Sequence, residues 1–166
     1  MAENKIEFIL WLVYWKTDLI NLKFLFKKLS IASDHAGFKL KEKIKNNLKK
    51  KKITVIDLGP KTDSSVDYPD YAKKVARNVA SKKSKIGILV CGSGTGMAMS
   101  ANKIKKIRAA VCYNRASTSL SRKHNDANIL ALGSRLTKNS TALKLVNIFL
   151  STKFEGGRHL RRVKKV

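Results

Sequence analysis

Two segments of the chain carry side chains that can move protons, and the first adds backbone that can hold an anion. The first is Cys91-Gly92-Ser93-Gly94-Thr95-Gly96, a thiol followed by a glycine-rich loop bearing hydroxyls. Glycines allow successive N–H groups to converge on a negative group, and a helix starting just beyond them adds its positive end. A plain strand-to-helix turn uses the same residues, so the loop by itself leaves both readings open. The thiol is equally double-edged. Free cysteine packs in strands as a small hydrophobe, whereas at a strand end facing a helix N-terminus it is competent as a base or nucleophile. Cys112 ends another apolar run without a glycine loop and reads as structural.

The second segment is Ser121-Arg122-Lys123-His124-Asn125-Asp126, where a histidine stands beside an amide and a carboxylate able to orient it for proton transfer. Its plain alternative is an exposed loop histidine. A third run, Phe154-Glu155-Gly156-Gly157-Arg158-His159-Leu160-Arg161-Arg162, is by default a basic terminus. Gly156 and Gly157 nevertheless hint at a defined turn, and arginine's planar fork matches phosphate better than lysine does.

One residue excludes three other glycine-loop chemistries. Met97 stands where a Walker loop would have lysine, where a dinucleotide fingerprint would have glycine, and where a cysteine phosphatase would have arginine. A nicotinamide cofactor is therefore not expected.

The elements that must position these groups follow from periodicity. Short apolar runs at Leu29–Ser33, Ile53–Leu58, Ile86–Cys91, Arg108–Cys112 and Ile129–Leu132 alternate with helical stretches. Leu40, Ile44 and Leu48 recur at four-residue spacing among lysines. Ala72, Val75, Ala76 and Val79 follow Pro69, and further helices are expected over Met97–Lys103, Ala116–Lys123 and Ser140–Leu150. Such alternation predicts an α/β Rossmann-like three-layer sandwich around a five-stranded parallel sheet, with right-handed crossovers. If the strand order is 2-1-3-4-5, ligands bind in the crevice beyond strands one and three. Asp34 and His35 follow the first of these, Cys91 and its loop the third.

Composition limits the alternatives. The chain has 166 residues, 43% hydrophobic and 28% charged, which suits one folded domain. Its 36 basic residues against 11 acidic ones leave a formal charge of +25, and a basic protein that binds RNA or anionic lipid is the competing reading. The lysines, however, are spread along solvated helix faces, and no aromatic stacking platform or base-reading motif accompanies them, so no specific nucleic-acid partner is expected. Two cysteines suit a reducing, cytoplasmic setting. The apolar run Phe8 to Trp15 is interrupted by Lys16 and Asp18, short of the roughly 20 residues of a membrane span. The expected organisation is an N-terminal extension over 1–27 and a domain over 28–166.

Taken together, Ser33-Asp34-His35-Ala36-Gly37-Phe38, Asp67-Tyr68-Pro69, the Cys91–Gly96 loop, Ala101-Asn102-Lys103, the Ser121–Asp126 string and Glu155-Gly156-Gly157-Arg158-His159 resemble the type B ribose-5-phosphate isomerase family. That family also contains the galactose-6-phosphate isomerase subunits. The resemblance implies a sugar-phosphate substrate, an enediol intermediate and no metal or organic cofactor. It implies Cys91 as base, because the glutamate some members use in the following segment is replaced by Met97, Ala98, Met99 and Ser100. It further implies His124 as the acid that opens the sugar ring, and Gly92, Ser93, Gly94, Thr95 and Gly96 as the enediolate cradle. Asp34, His35, Tyr68 and Asn125 would contact the sugar, Arg135, Arg158 and Arg162 the phosphate with His159 as a possible helper, and the site would be shared across a homodimer or higher homo-oligomer. The chain departs from the family at both ends. About 27 residues precede the first strand, read as an upstream start, an interaction helix or a membrane-surface anchor, with the first preferred. At Val166 it stops where relatives often continue into a further helix, which implies a less stable dimer.

Overall fold

The run Ile86–Cys91 is buried at all six positions and forms strand β3, and Lys28–Ser33 forms β1 with everything after Lys28 buried. Strands apolar on both faces belong inside a parallel sheet covered by helices. The structure is a computed structural model and describes residues 24–166, so Phe8 to Trp15 lie outside the described residues. Phe24 and Phe26 pack against the core, and the Leu25 N–H donates to the Leu150 carbonyl at 3.0 Å.

Each strand is followed by a helix, and the first two helices bury the stripes predicted for them. Helix α1 (Phe38–Lys50) buries Leu40, Ile44 and Leu48. After β2 (Thr54–Asp57), α2 (Tyr68–Ala80) starts with Pro69 in its first turn and buries Ala72, Val75, Ala76 and Val79. Then come α3 (Thr95–Asn102), β4 (Ala109–Val111), α4 (Arg115–Asn125), β5 (Ile129–Gly133) and α5 (Asn139–Ser151). A last helix, α6 (Gly157–Val163), occupies what the sequence suggested was a turn and basic tail. One core, with Ile44, Leu48, Leu145 and Phe149, lies on one face of the sheet, and a second, with Val75, Val79, Met97 and Ala101, lies on the other.

All strand pairs are parallel and the order is β2-β1-β3-β5-β4. The expected 2-1-3-4-5 order is thus corrected in its last two strands. β5 is buried at all five positions and takes the interior place beside β3, whereas β4, shorter than predicted and only half-buried, suits the edge. The crevice between β1 and β3 is unaffected, because those strands remain neighbours.

Two local devices hold the carboxyl ends of β1 and β3 together. The Asp34 N–H donates to the Val90 carbonyl at 3.1 Å, and the Gly37 N–H to Asp34 Oδ1 at 2.8 Å. Lys41, wholly buried, donates to Asp57 Oδ1 at 3.1 Å and to the Pro60 carbonyl at 2.6 Å, tying α1 to the segment that leads to Tyr68. Leaving such a buried charge without its partner costs about 3–5 kcal/mol. Gly37 itself leaves no room for a side chain, since a Cβ there would lie 2.1 Å from the Val90 carbonyl oxygen. Gly37→Ala should therefore lower the unfolding free energy by at least about 1–3 kcal/mol. Urea denaturation checks this, and an unchanged midpoint would show that the strand ends can separate freely.

Candidate active site

Beyond the carboxyl ends of β1, β3 and β5 lies a cavity of about 300 Å³ lined by Asp34, Tyr68, Cys91, Gly92, Ser93, Gly96, Arg135 and Leu136. Three strands of one sheet deliver its chemistry, because every parallel strand ends at the same edge. β1 supplies Asp34, which is 7% exposed, and β3 supplies Cys91, at 4%.

The Cys91 sulfur is held by its own loop. The Gly94 N–H donates to Sγ at 3.0 Å, and Gly94 caps α3 in the left-handed conformation, φ 85°, which glycine adopts without strain. The thiol therefore faces the start of a helix, as the sequence suggested. The cradle is partly occupied by its own partners, however: Gly94 serves the sulfur and the Thr95 N–H donates to Ser93 Oγ at 3.3 Å. Gly94 lies buried beneath the cavity and Thr95 points to solvent, so neither lines it. The loop after β5 closes the opposite wall. Ser134 and Arg135 donate their N–H groups to the Cys91 and Gly92 carbonyls at 2.8 and 3.1 Å, and Ser134 Oγ donates to the Ala36 carbonyl at 2.9 Å. The Arg135 guanidinium consequently lies over Gly92, 3.3 Å from where a Cβ would be. Across the cavity, the Tyr68 ring rests on Gly96, where a Cβ would come within 2.8 Å of it.

The other predicted residues are elsewhere in the chain. His35 is exposed beside the cavity, its Nδ1 accepting from the Val66 N–H at 3.4 Å. His124 and Asn125 end α4, which runs back from the carboxyl edge through 11 residues, roughly 16 Å of helix, to the amino edge of the sheet. Arg108, just before β4, confirms that position by donating to the Asn125 and Asp126 carbonyls at 3.0 Å. His124, Asn125, His159 and Arg162 line a second groove there, of about 740 Å³, and Arg158 adjoins His159. A single chain therefore does not bring His124, Asn125, Arg158 and Arg162 to Cys91.

This second cluster has its own order. The His124 and His159 rings stack at 4.2 Å between centroids and 5° between planes. Glu155 Oε2 lies 3.6 Å from His124 Nε2 and 3.9 Å from His159 Nε2, while Oε1 pairs with Lys123 Nζ at 3.2 Å. The Lys123 hydrogen bond is the main influence that holds the Glu155 carboxyl below its usual range. Burial, then the His124 and Arg158 charges, push the His159 imidazole down. Glu155 and His159 gave little sign of this in sequence, since their contacts depend on α6 folding back onto α4. Leu136 and Ser134 were also missed, although both follow a strand end and the topological rule that singled out Asp34 and Cys91 reaches them.

Cys112 is buried against Ser121, Sγ to Oγ 3.8 Å, and burial pushes its thiol up. Iodoacetamide should accordingly modify Cys91, which faces the cavity, at least about 10-fold faster than Cys112 near neutral pH. Cys112 should react only as pH rises above the ordinary thiol range. Peptide mass spectrometry reads the two sites, and equal labelling would contradict this placement.

Known proteins are similar to this chain in sequence and fold. Ribose-5-phosphate isomerase B of Escherichia coli is 44% identical over 140 residues, covering 84% of this chain and 94% of that protein. A ribose 5-phosphate isomerase structure from Thermotoga maritima superposes with a TM-score of 0.82 at 52% identity, covering 83% of this chain and 95% of that one. Ribose-5-phosphate isomerase B of Mycoplasma genitalium, solved with ribulose-5-phosphate bound, gives 0.80 at 46% identity over 83% of this chain and 92% of that one. The family described as Ribose/Galactose Isomerase matches residues 29–166. On that match, and on identities above 40% across more than four fifths of its length, the chain belongs to the ribose/galactose isomerase family of enzymes.

Proposed function

We propose that this chain interconverts ribose 5-phosphate and ribulose 5-phosphate through an enediol, with Cys91 as base and His124 as ring-opening acid. The observation that carries the reading is the cavity that joins Cys91, its glycine loop, Asp34, Tyr68 and Arg135. Similarity to ribose-5-phosphate isomerases, one with ribulose-5-phosphate bound, supports the choice of sugar.

His124 donates a proton to the ring oxygen while the C1 hydroxyl gives up its own to water, and the sugar opens to its aldehyde. Cys91, as thiolate, takes the proton from C2, leaving an enediolate whose oxygens accept from Ser93 and from free N–H groups of the Gly92–Gly96 loop. The same proton returns to C1, the C2 hydroxyl proton passes to O1, and C2 becomes the ketone carbon. Oxidation at one carbon balances reduction at its neighbour, so the sequence of steps calls for no external electron acceptor. Arg135 binds the phosphate, and Asp34, His35 and Tyr68 hold the sugar hydroxyls.

Because one chain leaves His124, Asn125, Arg158 and Arg162 at the other edge of the sheet, the reaction requires a homodimer in which a second copy offers them to the Cys91 cavity. Leu136 and Tyr68, exposed at 61% and 41%, are apolar surface beside that cavity for a second copy to cover. The reaction belongs in the cytoplasm. No described helix is long and apolar enough to cross a membrane.

Cys91→Ala should lower kcat by about 10²–10⁴-fold with either ring-closed or open-chain substrate, while His124→Ala should harm turnover of the ring-closed sugar more than proton exchange on an open-chain analogue. Equal losses would remove the ring-opening role. Mixing the two inactive variants under conditions of subunit exchange should restore about a quarter of wild-type activity, the random-pairing value for a dimer with two shared sites. No recovery despite demonstrated exchange would sink the shared site.

A further inference from the structure

We propose that His124, His159 and Glu155 form a binding site for one divalent transition-metal ion, with Zn²⁺ as the reference ion, whose occupancy competes with the reaction. The three ligand atoms lie within 4.8 Å of one another. They come from three positions held by backbone contacts: the last turn of α4, the segment leading into α6, and the first turn of α6. The Glu155 N–H donates to the Lys123 carbonyl at 3.0 Å and the His159 N–H to the Gly156 carbonyl at 2.9 Å, so the segment folds back onto α4 in a fixed register.

The two Nε2 atoms lie 3.6 and 3.9 Å from the same carboxylate oxygen, Oε2. Lys123 occupies the other oxygen, Oε1. An ion can therefore take Oε2 as a single ligand without displacing the lysine, which then acts as the outer partner that orients the carboxylate. Tetrahedral zinc holds N and O donors at about 2.0–2.2 Å, which places ligands roughly 3.3 Å apart. The present separations of 3.6 and 3.9 Å must contract, and the parallel His124–His159 stack must open, for both lone pairs to reach one ion. Two imidazoles and one carboxylate also leave a fourth position open, the donor set of zinc sites that accept an exchangeable ligand. Arg162, which lines the same groove, and the adjacent Arg158 repel a cation. The site is accordingly weaker than a structural zinc site.

Inhibition is the part of this inference that rests on His124 being the ring-opening acid; binding does not. Equilibrium dialysis of the full-length protein against Zn²⁺, with bound metal counted by mass spectrometry, should find one ion per chain in the wild type and in Cys91→Ala. Glu155→Gln and His159→Gln should bind at least about 10-fold more weakly. Should the buried His159→Gln misfold, the exposed Glu155→Gln still decides the matter. Co²⁺ in place of Zn²⁺ should give visible absorption without thiolate charge transfer. The proposal fails if the wild type takes up no stoichiometric zinc, if Glu155→Gln binds as the wild type does, or if Cys91→Ala alone abolishes uptake. Zinc should inhibit the wild type more than Glu155→Gln. Ligand-dependent uptake without inhibition would uphold the site and count against the catalytic role of His124.

Discussion

A parallel sheet has a direction, and everything chemical in this protein is arranged by it. Every strand ends at one edge and every crossover helix carries the chain back to the other. β1, β3 and β5 therefore deliver Asp34, Cys91 and Arg135 to a single cavity, while α4 takes His124 away from it. The family motifs are split between two edges by topology alone. A reaction that uses both clusters on one small molecule must bring together two copies of the chain.

The cavity is small because backbone replaces side chains around it. A Cβ at Gly133 would come within 2.7 Å of the Ser93 carbonyl oxygen, and one at Gly37 would strike the end of β3. With those positions bare, the loops after three strands bond directly to one another: Ser134 to Cys91, Arg135 to Gly92, Asp34 to Val90. Such bonds satisfy polar groups that burial would otherwise leave costly, by about 1–3 kcal/mol each. They also fix the thiol against its glycine loop with little dependence on flexible side chains. Such rigidity suits the base role proposed for Cys91, because proton transfer needs precise placement of its groups.

The charge of +25 is handled in the interior as well as on the surface. Lys41 is fully enclosed and finds Asp57, Glu42 and the Pro60 carbonyl. Arg122, 4% exposed, bonds Asp126 and the Ala127 carbonyl and lies about 5.5 Å from the Phe149 ring centroid. Several of the few acidic residues thus serve buried cations. Glu155 does comparable work at the second cluster, where it faces Lys123 and two imidazoles. The remaining lysines lie largely on exposed helix faces, consistent with solvation more than with a single polyanion-binding patch.

From sequence alone, the α/β class, the five strands, the apolar stripe of each of the first helices and the placing of Cys91 with Asp34 were all legible. Each rests on local periodicity, or on the rule that ligands gather where parallel strands end. The motifs also carried the family. Only the tertiary structure decided that β5, buried on both faces, displaces the half-buried β4 to the edge, that Gly157–Val163 is a helix, and that His124 stacks on His159 above Glu155. Those outcomes depend on contacts between segments distant in the chain, chiefly the return of α6 onto α4, and no local pattern encodes which end of a helix another segment will reach. Whether a histidine three turns along a helix stands beside a thiol or across the sheet from it is a matter of chain direction in space.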